Sequence, residues 1–288
     1  MTVLSGAIDY WCNAFTPERR AVWDEAIQAQ GLSLGIRRAS DDFCSEDEML
    51  RRMDEAGFAT LVLVACDDGD DFSGVALRPA ALAALHSSAP TRFVGTWSID
   101  PRQGMAGVQH ARDMLNQPWC VGLHLHTHSW DRALDHADYY PYYALAAELD
   151  VPFVMQAGTS GGRFASDCGR PIGIDRPALY FPTVRFVLSH TGWPWTTEAI
   201  AMALKFSNVY LGTATWPPKR WSAELVSFMT GAGRTKCVAG TGFPTTGHRH
   251  LAAQLEQLDL PADALANLTS KNASSVFRRL AAHSKETP

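Results

Sequence analysis

Short apolar runs alternate with amphipathic stretches along the whole chain. That alternation predicts a parallel sheet with helical crossovers. Phe58 to Cys66 (FATLVLVAC) is apolar almost without a break, as a strand buried on both faces must be. Seven further strands are predicted: Val3 to Ile8, Arg92 to Ser98, Cys120 to His128, Pro152 to Gln156, Val184 to Leu188, Asn208 to Gly212 and Lys236 to Gly240. Helical stretches fall between them. One covers Glu18 to Gln30, and the next starts at a capping box, Ser45 with Glu48, and stops at Gly57. Others cover Pro79 to Leu85, Gly107 to Leu115, Pro141 to Leu149, Pro177 to Phe181, Thr197 to Phe206, Ala223 to Thr230 and His248 to Gln257. A helical tail, Ala262 to Leu280, follows Pro261.

Eight strand–helix units within 288 residues fit a closed α/β barrel, the (β/α)8 TIM barrel with a C-terminal helical extension, better than an open sheet. No G-x-G-x-x-G opens the first helix, which disfavours a dinucleotide fold. With no linker and no tandem repeat, residues 1–288 are expected to form a single domain.

Composition narrows the class. The chain is 46% hydrophobic and 19% charged, which suits a sizeable core and excludes a disordered protein. Net charge is −5 with both signs interspersed, so no basic stripe for nucleic acid exists. The acidic run at Asp67, Asp68, Asp70 and Asp71 reads as a solvated loop. No apolar run reaches the roughly 18 residues of a membrane span, and the N-terminus lacks a signal h-region. The six cysteines are scattered without a C-x-x-C pair. They read as reduced thiols in a cytoplasmic protein. Cys12 and Cys66 fall near strand ends and are weaker candidates for a pocket.

The candidate chemistry starts at the sixth strand. Val184 to Leu188 runs into Ser189, His190, Thr191 and Gly192. A polar residue at the C-terminal end of a barrel strand points into the active-site mouth, so His190 is the first candidate for proton transfer. The alternative is a hydrogen-bonded core histidine.

Several motifs share order and spacing. They are Ile8-Asp9 in strand one, Arg92-Phe93-Val94-Gly95 in strand three, and Gly122 with His124 in strand four. Pro152 with Gln156 in strand five and Phe181-Pro182 through His190-Thr191-Gly192 follow. The set closes with Gly240-Thr241-Gly242-Phe243-Pro244 and Asn272-Ala273. Taken together they resemble the amidohydrolase-2 family over nearly the whole chain. The resemblance implies a TIM barrel, hydrolase or decarboxylase-type lyase activity on small aromatic or unsaturated carboxylates or lactones, and a homodimer. It also implies a divalent metal held by four side chains. Those positions read Trp11, Asn13, Gln156 and Gly242 here. Borderline metals want imidazole, thiolate or carboxylate at about 2.0–2.3 Å. Trp donates only a hydrogen bond, Gly has no side chain, and neutral amides are weak ligands. No cofactor is therefore expected, and the family's metal-independent histidine, matched by His190, is expected to be the general acid/base.

His124, His126 and His128 would share one face of the fourth strand by its period of two. They fit a polar pocket wall, a relocated metal site with His190, or simple hydrogen bonding inside the barrel. Aromatics gather at strand ends: Tyr10, Trp11, Trp97, Trp130, Trp193, Trp195, Trp216 and Phe243. They suit a planar substrate, with Trp11 filling the space of the lost metal. Arg163 in the Gly-rich loop, Arg37, Arg38 or Arg220 would anchor a carboxylate. The Gly158 to Gly162 stretch lacks the Lys of a phosphate loop and reads as a lid. The expected function is a metal-independent enzyme in which Asn13, Gln156 and a histidine of strand four orient the substrate. The rivals are a non-catalytic barrel binding a small molecule or partner, and a metalloenzyme with a moved site.

Overall fold

The computed structural model describes residues 4–30, 43–67, 76–160 and 164–283. Arg37, Arg38, Asp68, Asp70, Asp71 and Arg163 lie outside the described residues. The eight strands are β1 (Ala7–Cys12), β2 (Phe58–Ala65), β3 (Phe93–Ser98), β4 (Cys120–Leu125), β5 (Phe153–Met155), β6 (Phe186–Leu188), β7 (Val209–Gly212) and β8 (Cys237–Val238). They run parallel in sequence order. The barrel closes where Tyr10 N donates to Ala239 O, Gly242 N donates to Trp11 O, and Cys12 bridges to Phe243. The TIM barrel expected from the alternation is therefore present.

Alternate strand residues face two cores. Val62, Val94, Val121, Val154, Val187 and Val238 fill the barrel with Ile8 and Tyr10. Their neighbours Leu61, Leu63, Phe93, Phe153 and Phe186 face the helices outside. Branched side chains dominate the inner layer, as a closed parallel sheet requires. Helices α1 (Arg19–Gln30), α2 (Glu46–Ala56), α3 (Pro79–Ser88) and α4 (Gly104–Leu115) precede a single turn, α5 (Thr127–Trp130). Then come α6 (Tyr140–Glu148), α7 (Asp175–Tyr180), α8 (Thr196–Lys205), α9 (Ala223–Thr230) and α10 (His248–Gln257). At α2 the capping box forms as predicted: the Ser45 hydroxyl accepts from Glu48 N, and Gly57 terminates the helix at φ +79.

Several boundaries differ from expectation. The first strand starts at Ala7, not Val3, because Gly6 turns the chain at φ +70. Asp9 to Cys12 therefore lie within the strand rather than after it. The fourth strand ends at Leu125: His126 leaves the extended region (ψ 80), and the Thr127 hydroxyl donates to Gln156 O to start α5. His126 and His128 thus do not share a strand face with His124. The Gly-rich loop is pinned on both sides of residues 161–163. Gly158 N donates to Gly169 O, Thr159 N to Trp193 O, and 3-10 turns cover Asp167–Gly169 and Pro171–Ile174.

The tail breaks into α11 (Ala262–Ala266), a π turn (Asn267–Lys271), α12 (Asn272–Val276) and α13 (Leu280–His283). The Leu268 carbonyl is drawn out of the helical ladder to Ala239 N beside β8. Ala273, Val276 and Phe277 join the inner core, and Arg185, just before β6, donates to Val276 O. The tail therefore plugs the N-terminal end of the barrel and leaves the C-terminal end for chemistry.

Candidate functional site

The strand ends converge on a histidine cluster. After β6, Ser189 N still pairs with Met155 O. His190, Thr191 and Gly192 then adopt three successive left-handed conformations, at φ +58, +56 and +67. Non-glycine residues take this region rarely, and such backbone concentrates at functional sites. The turn sets the His190 ring 4.8 Å from the Trp11 ring. His190 Nδ1 lies 2.9 Å from Ala214 O. A carbonyl only accepts, so Nδ1 carries the hydrogen and Nε2 keeps its lone pair. Burial lowers the His190 pKa to about 4; the Ala214 bond opposes this, and His128 adds to it. At neutral pH the ring is an uncharged base.

Three more histidines surround it. His124 on β4 is fully buried, its Nδ1 3.1 Å from Ser98 Oγ. Burial, then His190, lowers its pKa to about 3. His126 Nδ1 bonds the Ser129 hydroxyl, and burial, with His128, His124 and His190, holds it well below the ordinary range. His128 donates from Nε2 to Gly158 O at 2.9 Å, and burial lowers it against the pull of Gly158 and Gln156. Burial is the first cause for all four, and a neighbouring histidine adds to it for His124, His126 and His190. Gln156, just beyond β5, is 7% exposed. Its Oε1 and His128 Nδ1 are buried without a hydrogen-bond partner. Such atoms call for a donor from a ligand or water.

Trp11 wedges between the histidines. Its ring lies 4.5 Å from His124, edge-on, as well as against His190. Nε1 donates to Asn13 Oδ1 at 3.0 Å, and Asn13 Nδ2 donates to Phe243 O at 2.6 Å. The Asn13 amide is thus committed within the protein. Gly242 sits at φ +56, and a Cβ there would overlap the Thr215 hydroxyl and backbone. Of the four positions that would hold the family's divalent metal, only Gln156 offers an oxygen free for it. Trp11, Asn13, Gln156 and Gly242 do not fit that ion.

Nor do the four histidines preassemble a relocated site. Among the described residues, the only trio of potential ligand atoms within 4.8 Å of one another is Asp9, Cys12 and His248. That trio faces the helices, not the barrel mouth. Asp9 Oδ1 accepts from Trp11 N (3.2 Å) and Thr241 N (2.9 Å), and Oδ2 from the Thr241 hydroxyl (2.5 Å) and His248 Nε2 (3.0 Å). A carboxylate with four donors is a closed knot tying β1 to the loop after β8. Sequence reasoning missed His248, which stands 239 positions from its partner with no local pattern to mark it.

The rim is aromatic. Trp193 packs at 4.6 Å on Trp216 and is 39% exposed. Arg102 stacks on Trp130, Arg170 on Trp195 and Arg220 on Trp216. Trp97 and Phe243 belong to the outer core instead, against His110 and His248. Cys12 also faces outward, whereas Cys66 lines the inner core with an Arg78 nitrogen 3.7 Å from its sulfur.

A family model described as amidohydrolase matches residues 8–279. Among solved structures, an uncharacterised TIM-barrel protein from Bordetella bronchiseptica shares 21% identity (TM-score 0.78, covering 96% of this chain and 99% of that one). A 2,6-dihydroxybenzoate decarboxylase from Rhizobium shares 14% (TM-score 0.71, 96% and 99%). A dihydroxybenzoic acid decarboxylase from Polaromonas sp. JS666, with bound manganese and 2-nitroresorcinol, shares 18% (TM-score 0.68, 96% and 97%). At these identities the likeness establishes the fold. No curated protein matches the chain.

Proposed function

This chain belongs to the amidohydrolase family, and we propose that it is a metal-independent carboxy-lyase acting on a small aromatic or unsaturated carboxylate. The observation that carries the reading is the His190 ring, tied through Nδ1–H to Ala214 O and keeping Nε2 as a free base among neutral histidines. Two structural neighbours act on dihydroxybenzoates by name. The manganese of one has no counterpart donor set here, because Trp11, Asn13 and Gly242 replace its expected ligands.

The step needs no external proton. A carboxylic acid entering the uncharged pocket gives its proton to His190 Nε2. The imidazolium returns that proton to the carbon bearing the carboxylate, the C–C bond breaks, and carbon dioxide leaves with the His190 ring neutral again. Trp11 supplies the flat wall, and Asn13 holds it. His124, His126, His128 and Gln156 orient the substrate's polar groups, and Trp193 covers the ring. Donors and dipoles so arranged take over part of the charge stabilisation an ion would give. The partner is a small molecule, and no nucleic-acid surface is implied. The six buried thiols support a reducing, cytoplasmic setting.

The test is carbon dioxide release from a panel of hydroxybenzoates and unsaturated carboxylates, with wild type beside His190→Ala. Turnover should fall by about two orders of magnitude or more in the variant. Equal turnover in both overturns the assignment, and ring opening of a lactone without carbon dioxide would place the enzyme among the hydrolases.

A further inference from the structure

We infer that Tyr10 is a positioning residue for His190, its phenol oxygen fixing the backbone of Ala214, whose carbonyl accepts from His190 Nδ1. The inference rests on the reading of His190 as the proton-transfer group. Tyr10 lies on β1, 1% exposed, with its ring inside the barrel. The space for that ring is left by two glycines: a Cβ on Gly212 at the end of β7, or on Gly240 after β8, would overlap it. The hydroxyl accepts from Ala214 N at 3.3 Å. Ala214 in turn presents the carbonyl that accepts from His190 Nδ1. The phenol oxygen and the His190 ring therefore hold the two polar groups of one residue, the N–H and the carbonyl of Ala214.

That main chain needs holding. His190 and Thr191 on one side and Thr215 on the other, at φ +72, are side-chain-bearing residues in the left-handed region. They stay there only where surrounding contacts over-determine them. Burial pushes the phenol above its ordinary range, against the pull of Ser189, Ala214 and His190. Tyr10 is thus a fixed hydroxyl at any working pH and not a proton carrier. Nothing in the sequence near His190 points to it, since the two stand on strands far apart in the chain.

Nitrogen-15 NMR of labelled histidines tests this without any substrate. In wild type, His190 should be one neutral tautomer, protonated at Nδ1, with a midpoint near 4. Tyr10→Phe keeps the ring in its slot and removes only the oxygen. It should mix the tautomers and shift the His190 midpoint further below about 4, because the Ala214 bond is the contact that raises it against burial. An unchanged tautomer and midpoint would overturn the inference. Amide exchange in the unaltered protein gives a second measurement. Ala214 N–H should be protected as strongly as the β7 amides, and fast exchange there would also overturn it. Full activity in His190→Ala would sink the proton-transfer reading alone, because the NMR result would stand without it.

Discussion

An imidazole held neutral by burial is a base before it is an acid, and this decides how His190 should respond to pH. With a pKa lowered to about 4, the reactive form is the deprotonated one, present above that value. Because the substrate brings the proton as a carboxylic acid, the account expects kcat/KM to rise as pH climbs through about 4 and to fall about tenfold per unit across 6 to 8, where the substrate is ionised, read from initial rates on any turned-over substrate. A rising limb near 6.5 would mean a solvated ring. Trp11 packs beside it, with ring centres 4.8 Å apart. Trp11→Phe keeps an aromatic wall but leaves the Asn13 carbonyl without its donor, and a net loss of about 1 kcal/mol in stability is expected from urea unfolding. At this scale the sequence was legible where chemistry follows local pattern. A polar residue at the end of an apolar run marked His190, and the substituted motif marked Trp11, Asn13 and Gln156. Tyr10 and His248 were not legible as partners of Ala214 and Asp9, because their contacts join residues 204 and 239 positions apart.

Among elements, the strands and most helices follow from hydrophobic period alone, because each strand is buried on both faces and each helix on one. Ends were harder to read. The fourth strand seemed to run through His128, since alternation continues past the point where Thr127 turns the backbone. The first strand seemed to start early, since Leu4 is apolar and buried although it precedes the Gly6 turn. Where a terminator is chemically specific, as at α2, the boundary was right. That same terminator gives a test. Gly57 is left-handed, and a Cβ would overlap the Leu4 carbonyl. Gly57→Ala should cost about 1–3 kcal/mol, against about 1 kcal/mol for Ser45→Ala at the other end, both from urea midpoints.

The whole molecule is a barrel sealed below by its own tail and lined above with neutral histidines. That lining links stability to pH. His124, His126, His128 and His190 all have folded pKa values below the unfolded value, with His124 at about 3 and His190 at about 4. The unfolded chain therefore binds more protons below about 6.5, so stability is full above that pH and falls as pH drops toward 4. His190 alone accounts for on the order of 3 kcal/mol by pH 4, and urea midpoints from pH 8 to 5 should show the onset. The same lining stands where a cation would be expected, and that substitution is the centre of the account. The most direct measurement is turnover of an aromatic carboxylate by chelator-stripped protein, with and without added manganese. The account predicts the untreated rate in both samples. A rate abolished by stripping and restored by manganese would contradict it.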